Sequence, residues 1–350
     1  MVDKRVALTG DGIDAERLRV FLQERLPEAK ALSLSSIDQS SAGGISREHF
    51  VFDLTWSDGE RERTWPMILI RSGAGPGQTD RGKEFRLLRA LGDTAVPVPE
   101  AHWCDESGDW LERPFIVMER VGGAVTPPFQ LVYADAPAMR QQMTEQFVDI
   151  LGELHGLDWR ELGVDLLDFP QGEPHDYARN SLAVLEAMLS IAGTGQLKEL
   201  DEISPLIERA LGWLRARTPR SERLCICHGD YKPDNVLHEQ GRILAVVDWE
   251  RAHVADPMLD LAYVCVPHLR VGDLAVGLAP VEEIVERYRE RTGFAVASTA
   301  LGFWQLHLLL QTVLYLMSLG EELRQRGLEV PPELQAMIDY LPVLIERAIS

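Results

Sequence analysis

The stretch that most constrains how this chain can fold lies between residues 224 and 250, where the sequence reads LCICHGDYKPDNVLHEQGRILAVVDWE. An apolar run enters a polar loop at His228, and a second apolar run, RILAVV, ends directly before Asp248. Short apolar runs bounded by turn residues are typical of buried strands. The sequence therefore predicts a strand, a polar loop and a second strand, with Asp230, Asn235 and Asp248 converging at the strand ends.

These polar side chains have the chemistry of a phosphoryl-transfer site. Asp230 can take the proton of an acceptor hydroxyl, while Asn235 and Asp248 offer the hard oxygen ligands that Mg²⁺ prefers. Lys232, two residues after Asp230, can offset the charge of the transferred phosphoryl group. The stretch alone is also compatible with an ordinary polar turn, so its function depends on the rest of the chain.

The first third of the sequence predicts a small antiparallel sheet. The runs HFVFDLTW and RTWPMILIR are separated by SDGERE, which contains the Asp-Gly hairpin signal, and EAHWCDES and RPFIVMER supply further strands. We expect five strands, a helix over 14–25, and a second helix in DRGKEFRLLRAL that ends before the prolines at 97 and 99. Residues 1–121 are thus predicted to form one lobe.

The remainder, residues 122–350, predicts a larger and mostly helical lobe that carries the catalytic loop at 227–250. One helix face is marked by apolar residues at helical spacing, namely Phe147, Ile150, Leu151 and Leu154. The segment 292–320 contains no Asp, Glu, Lys or Arg, but Gln305, His307 and Gln311 interrupt it. We therefore predict a buried helix there, and not a membrane span.

Composition excludes several classes of function. The chain has 35 basic and 55 acidic residues, a net charge of −20, which argues against general affinity for nucleic acid or an anionic membrane. The N-terminus lacks the apolar core of a signal peptide, and the four cysteines form no paired CxxC framework, so we expect a reduced, cytoplasmic setting. Cys225 and Cys227 occupy alternate positions of a predicted buried strand, and no second ligand pair at zinc spacing accompanies them.

The order of motifs resembles the aminoglycoside phosphotransferase (APH) family of the protein-kinase-like fold. The chain carries HGDxxxxN, then an apolar strand that ends in Asp-Trp-Glu, then DPxxDLA at 256–262. The resemblance implies an α+β, bilobal kinase-like fold that uses ATP or GTP with Mg²⁺. It also implies that Asp230 is the base, Lys232 a phosphate contact, and Asn235 and Asp248 the metal ligands.

The resemblance extends to the predicted nucleotide-binding lobe. SAGGISREHFVF resembles the family's nucleotide loop, in which backbone N–H groups of Gly43, Gly44 and Ser46 would approach phosphate. Taken alone, Gly-Gly before a strand is also a common hairpin turn. Arg71 stands where kinases carry the phosphate-binding lysine, and Glu84 stands where the helix glutamate partners it.

Arg71 departs from the usual kinase lysine, because a guanidinium keeps the charge but is larger and forked. Two unrelated surface charges are the alternative interpretation of Arg71 and Glu84. FIVMERVGG resembles the last small-lobe strand and the hinge, where backbone groups of Glu119 and Val121 would meet the adenine. The resemblance gives His228 the role of a scaffold that braces the loop, and His155 that of a core histidine.

The acceptor is the least constrained feature. Residues 131–215 contain 15 acidic and 6 basic residues, so their net charge is 6 − 15 = −9, which could attract a polycationic aminoglycoside or simply reflect solvated helices. Several motifs resemble the branch that includes kinase domains fused to acyl-CoA dehydrogenases. The kinase domains of that branch phosphorylate hydroxyacyl-CoA. We expect a hydroxyacyl-CoA or another small alcohol, while an aminoglycoside or macrolide kinase and a catalytically weak nucleotide-binding regulatory module remain open. The sequence does not specify the oligomeric state.

Overall fold

The chain folds into two compact units in a computed structural model that describes residues 12–40, 47–73, 80–125, 136–163, 173–193 and 197–350. The first unit is Met1–Gly123 together with Leu244–Glu250, and the second is Ala124–Ile243 together with Arg251–Ser350. The first boundary thus falls two residues beyond the expected end of the small lobe. The return of Leu244–Glu250 to the first unit was not predicted, and it places Asp248 in that unit.

The first unit is built on a six-stranded antiparallel sheet, in the order β1-β3-β4-β6-β5 with β2 also paired to β3. Its strands are β1 (Lys30–Leu34), β2 (Asp38–Ser40), β3 (Arg47–Ser57), β4 (Glu62–Ser72), β5 (Ala101–Asp105) and β6 (Phe115–Glu119). The four predicted strand runs correspond to β3 through β6. The sheet has six strands, and not five, because β1 and the polar three-residue β2 both add to β3.

The β3–β4 hairpin fixes which side chains share a sheet face. Its register runs from Arg47 opposite Ser72 to Ser57 opposite Glu62, and the carboxylate of Asp58 accepts backbone N–H groups in the turn. Because side chains alternate along a strand, Phe50 and Leu69 share one face, and residues on either side of them point to the other. That face packs on helix α1 (Ala15–Arg25), whose buried residues are Leu18, Phe21 and Leu22.

Helix α2 (Arg81–Leu91) follows a regular N-terminal cap in the first unit. The side chain of Asp80 accepts the N–H of Lys83 at 3.1 Å, which satisfies one of the donors that a helix start leaves open. The buried residues of α2 are Arg81, Gly82, Glu84, Leu87, Leu88 and Leu91. Two charged residues are therefore buried in its first turn, a placement that needs counter-charges nearby.

The second unit is mainly helical. Its helices are α3 (Pro137–Gly156), α4 (Tyr177–Ala192), α5 (Lys198–Glu202), α6 (Ser204–Arg217), α7 (Met258–Cys265), α8 (Val281–Thr292), α9 (Ser298–Gln325) and α10 (Pro332–Ile349). The short strands are β7 (Ala124–Val125), β8 (Cys225–Cys227), β9 (Val236–Glu239), β10 (Arg242–Val246), which continues into the first unit, and β11 (His253–Ala255). β7 pairs with β9, and β8 pairs with β11, both antiparallel.

Helices α3 and α9 form much of the core of the second unit. In α3 the predicted apolar face is buried at Phe147, Leu151 and Leu154, whereas Ile150 is only partly buried. Helix α9 is long and apolar enough to cross a membrane by length and composition, but 67% of its apolar window is buried inside the chain. This burial agrees with the prediction of a core helix.

Candidate active site

The polar loop of the second unit begins with a turn that requires glycine. Strand β8 ends at Cys227, and Gly229 adopts a left-handed backbone with φ of 80°. A Cβ at this position would lie 2.5 Å from the carbonyl oxygen of Arg251. A side chain here would meet both a conformational penalty and a clash with backbone.

A buried carboxylate on α7 holds this turn in place. Asp260 is 0% exposed and accepts the backbone N–H groups of His228 at 2.6 Å and Gly229 at 2.9 Å. The ring of His155 lies 3.3 Å from Asp260 through Nε2 and 2.6 Å from the hydroxyl of Tyr288 through Nδ1. His155 thus positions the carboxylate that supports the loop, which agrees with its predicted place in the core.

His155 and Asp260 form a charged pair. Burial lowers the pKa of His155, but the hydrogen bond to Asp260 and the neighbouring Cys227 outweigh it and raise that pKa to about 9. Burial likewise raises the pKa of Asp260, yet the hydrogen bond and charge of His155 hold it below its ordinary value. Each partner therefore keeps the other ionised at neutral pH.

The Cys-x-Cys motif lies next to this pair. The ligand atoms of Cys225, Cys227 and His155 lie within 4.8 Å of one another. Both ring nitrogens of His155 are already hydrogen-bonded, and burial raises the pKa of both thiols. Because zinc binds thiolates and neutral imidazole, these contacts favour the predicted buried strand over a metal site.

The loop places Asp230, Lys232 and Asn235 in mutual contact. Lys232 Nζ lies 2.9 Å from Asp230 Oδ2 and 3.5 Å from a carboxylate oxygen of Asp234. The amide nitrogen of Asn235 donates to the backbone oxygen of Asp230 at 2.8 Å and to Asp230 Oδ2 at 2.9 Å. Because the amide nitrogen is committed to the loop, Oδ1 is the atom of Asn235 that could ligate a metal.

These contacts keep Asp230 ionised although it is only 9% exposed. Burial raises its pKa, but the charge of Lys232 and hydrogen bonds from Tyr263, Lys232 and Asn235 together hold the pKa below its ordinary value. An ionised carboxylate at this position can accept a hydroxyl proton. Sequence reasoning missed Tyr263, because no motif marks a tyrosine three residues after Asp260.

Asp248 lies in a separate group of charges within the first unit, which we call the arginine–carboxylate cluster and define as Arg47, Arg81, Glu84, Asp248 and Glu250. Arg47 makes a close ion pair with Asp248 and lies 3.0 Å from Glu250 and 3.9 Å from Glu84. Arg81 makes a close pair with Glu84, lies 3.7 Å from Glu250, and donates through Nε to Ser72 Oγ at 3.3 Å. Asp248 itself has a left-handed φ of 75°, which is uncommon outside glycine and often marks a functional position.

The predicted pairing of Arg71 with Glu84 is wrong. Arg71 lies opposite Glu48 in the β3–β4 register and binds its Oε2 at 2.7–2.8 Å, while Nη1 donates to the backbone oxygen of Leu111 at 3.3 Å. Glu48 also binds Arg113 at 2.7 Å. The physical reason is strand alternation, since Arg71 shares the face of Leu69, which packs on α1, and Glu84 is paired with Arg81 instead.

The remaining predicted nucleotide contacts fall into two groups. Gly43, Gly44 and Ser46 lie outside the described residues. Glu119 ends β6, and its N–H donates to the oxygen of Glu100 at 2.8 Å, so its carbonyl is the backbone group that could meet an adenine. Val121 follows directly in the connection to the second unit.

Comparison with known proteins decides the family. The model of the phosphotransferase enzyme family, APH, matches residues 51–300. The chain belongs to this family. Among curated relatives, it is 32% identical to an aminoglycoside 3'-phosphotransferase of Streptomyces fradiae over 274 residues, which is 73% of this chain and 89% of that protein.

Other family relatives are longer proteins. The chain is 28% identical to acyl-CoA dehydrogenase family member 10 of Mus musculus over 188 residues, 53% of this chain but 16% of that protein. It is 26% identical to family member 11 of Rattus norvegicus over 225 residues, 60% of this chain but 27% of that protein. The chain therefore spans only a minor part of these relatives.

Solved structures confirm the predicted kinase-like α+β fold. A protein named as a candidate aminoglycoside phosphotransferase from Ralstonia eutropha JMP134 superimposes with a TM-score of 0.74 at 21% identity, over 97% of this chain and 98% of that chain. A thermostable mutant of the aminoglycoside phosphotransferase APH(4)-Ia, in complex with ADP and hygromycin B, gives a TM-score of 0.61 at 18% identity, over 95% of this chain and 97% of that chain.

Proposed function

We propose that this phosphotransferase is a small-molecule kinase that transfers the γ-phosphoryl group of ATP or GTP to a hydroxyl group. The observation that carries the proposal is the loop around Asp230, in which an ionised carboxylate is fixed by Lys232 and Asn235 on a turn held by Asp260. Such a carboxylate needs only to orient an acceptor hydroxyl and take its proton, because phosphoryl transfer depends mainly on positioning and electrostatics.

The reaction assigns one role to each side chain of the loop. Asp230 accepts the proton of the acceptor hydroxyl. The hydroxyl oxygen bonds to the γ-phosphorus, and the bond between the γ-phosphorus and the nucleoside diphosphate breaks. Lys232 balances charge next to that carboxylate, and Asn235 fixes the carboxylate rotamer through its amide nitrogen. The fixed geometry removes part of the entropic barrier to attack.

The proposed metal ligands are Asn235 through Oδ1 and Asp248 through its carboxylate. Both are hard oxygen donors, and the Asp248 side chain is 31% exposed although it pairs with Arg47, so the chemistry of these two residues fits Mg²⁺. When bound, Mg²⁺ would neutralise charge on the nucleotide phosphates. Glu84, Glu119 and Val121 are retained as proposed nucleotide-site residues.

For the acceptor, we propose a hydroxyacyl-CoA or another small alcohol. The support is the similarity of this chain to part of the sequence of acyl-CoA dehydrogenase family members 10 and 11 from several species. An aminoglycoside is the second candidate, because the Streptomyces fradiae relative is 32% identical and matches along most of its own length.

A screen of acceptors tests the function. Purified full chain is mixed with Mg²⁺ and ATP or GTP, and nucleoside diphosphate release is measured with hydroxyacyl-CoAs, aminoglycosides, macrolides and small alcohols. We expect release with one acceptor class, and loss of about 10²–10⁴-fold in Asp230→Asn. The matched control is Asp234→Asn, which removes a carboxylate from the same loop and should keep most turnover. Nucleotide binding with no acceptor-dependent release would favour a regulatory module.

A further inference from the structure

The first unit presents two different arginine sites on opposite faces of its sheet. On the α1 face, Arg71 is 2% exposed, pairs with Glu48, and lies with its guanidinium carbon 5.2 Å from the centre of the Phe50 ring. On the opposite face, Arg47 and Ser72 lie across from each other, and Arg81 reaches them from the first turn of α2. Arg71, which stands at the position of the kinase lysine, is therefore not the arginine that meets the helix glutamate.

Arg71 has the contacts of a structural ion pair. Its Nε and Nη2 both bind Glu48, its Nη1 binds a backbone carbonyl, and Glu48 is shared with Arg113, which also donates to the backbone oxygen of Ser72 at 2.9 Å. Each of these groups ties β3, β4 and the segment before β6 together. A phosphate contact by Arg71 would require a buried carboxylate to give up its partner, which is costly.

Arg81 has the opposite character. It is 1% exposed, and its Nη2 has no hydrogen-bond acceptor among the described residues, since Glu250 lies at 3.7 Å, beyond hydrogen-bonding distance. Next to this cluster, Nε2 of His49 is also buried and has no hydrogen-bond partner in the part of the chain that the structure describes. Burial, followed by the charges of Arg47 and Arg81, lowers the pKa of His49 to about 4, so His49 is neutral and can donate or accept. Unpaired polar atoms are expensive in a buried site and indicate where a ligand supplies partners.

The charge of the cluster defines what that ligand must be. Two guanidinium groups face three carboxylates, Glu84, Asp248 and Glu250, a formal charge of 2 − 3 = −1. A bare anion would meet repulsion here, whereas an anion that arrives with a divalent cation would not. With Nε of Arg81 bonded to Ser72 and Nη1 bonded to Glu84, Nη2 is the atom left to donate charge-assisted hydrogen bonds to phosphate oxygens.

We infer that Arg81, positioned by Glu84, is the residue that binds the phosphates of the metal–nucleotide complex, and that Arg71 is a structural residue of the sheet. This inference rests on the proposed function. It also explains why the chain can dispense with lysine in β4: the phosphate-binding cation comes from the start of α2, three residues before its glutamate.

Nucleotide binding to the wild-type chain and three variants tests the inference. Fluorescent ATP or GTP is titrated with Mg²⁺ into wild type, Arg81→Lys, Arg71→Lys and the matched control Arg113→Lys, and unlabelled adenosine, ADP and ATP are used as competitors. Each substitution keeps the positive charge but replaces the planar guanidinium with an ammonium group. For Arg81→Lys we expect Kd for ATP to rise about tenfold or more, with adenosine binding unchanged. For Arg71→Lys and Arg113→Lys we expect changes of less than about threefold, with lower thermal stability.

A second variant guards against misfolding. Should Arg81→Lys melt well below wild type, the charge-neutral pair Arg81→Gln with Glu84→Gln is used, because it leaves no uncompensated charge from this contact. Wild-type affinity for ATP in a folded Arg81 variant, or a selective loss of ATP over adenosine in Arg71→Lys, would overturn the inference. Absence of any Mg²⁺-dependent nucleotide binding by wild type would overturn the proposed function as well.

Discussion

Replacing Asp260 with asparagine should destabilise the second unit in a pH-dependent way. The carboxylate accepts two buried backbone N–H groups and pairs with a protonated histidine. The amide of asparagine keeps one acceptor oxygen. Its NH₂ group replaces the other oxygen and would face a backbone N–H, which is also a donor. The substitution also removes the counter-charge of His155. Removing one partner of a buried ion pair costs about 3–5 kcal/mol, so we expect a loss of that size near pH 6.

The pH dependence follows from the direction of the histidine shift. The pKa of His155 rises from 6.5 to about 9 in the folded chain, so the pair contributes fully below about pH 6.5 and its contribution is lost as pH rises through about 9. A pKa difference of 9 − 6.5 = 2.5 corresponds to about 3 kcal/mol, to which both Asp260 and the neighbouring Cys227 contribute. Near pH 9.5, above the pKa of about 9, His155 is mostly neutral in the wild type, so the cost of Asp260→Asn should fall to about 1–2 kcal/mol.

Urea denaturation followed by tryptophan fluorescence measures both values. The control is Asp256→Asn, because Asp256 is a buried carboxylate that accepts the N–H of Met258 at 2.8 Å and a hydroxyl from Ser221. The cost of Asp256→Asn should vary less between the two pH values, because Ser221 and the N–H of Met258 affect the Asp256 carboxylate more than the charge of His155 does. A cost of Asp260→Asn that is equal near pH 6 and pH 9.5, or below about 1 kcal/mol near pH 6, would refute the charged pair.

Two further predictions concern Gly229, which follows β8, and Asp248, which follows β10. Gly229→Ala should lower turnover at least about tenfold and cost more than about 2 kcal/mol, because alanine meets both the left-handed penalty and the Arg251 carbonyl. The control is Gly293→Ala, because Gly293 has a φ of 69° and a Cβ there would have no atom within 4 Å. In the same urea denaturation, this variant should lose only the stability that a left-handed alanine costs. Equal losses of stability in the two variants would contradict the clash with the Arg251 carbonyl. Asp248→Asn should raise the Mg²⁺ concentration for half-maximal turnover about tenfold or more, and an unchanged Mg²⁺ titration would remove Asp248 from the metal site.

The sequence predicted the parts of the fold that depend on local pattern. Alternating apolar residues and an Asp-Gly turn identified β3 and β4, and helical spacing identified α2 and α3. The short polar β2 carries no such pattern, because its three residues are exposed or only partly buried, so its pairing to β3 depends on tertiary context. The return of Leu244–Glu250 to the first unit is likewise a tertiary property.

Contacts within the candidate site were predicted where they lie in one loop and missed where they depend on sheet faces. Asp230, Lys232 and Asn235 are close in sequence, so their contacts follow from a single turn. Arg71 was assigned to Glu84 by position in a motif, but alternation of side chains along β4 places it with Glu48. Pairing β3 with β4 across the Asp-Gly turn puts Glu48 opposite Arg71, so the sequence did contain the signal for this contact.

The proposed reaction moves a phosphoryl group onto a hydroxyl by means of Asp230. Phosphorus NMR of the reaction with ATP or GTP, Mg²⁺ and the acceptor found by the screen measures this directly, because a phosphate ester and inorganic phosphate give separate signals. We predict an ester signal that grows in step with the nucleoside diphosphate in wild type, and that is about 10²–10⁴-fold slower in Asp230→Asn. Release of inorganic phosphate alone, or an ester formed at the wild-type rate by Asp230→Asn, would contradict the account.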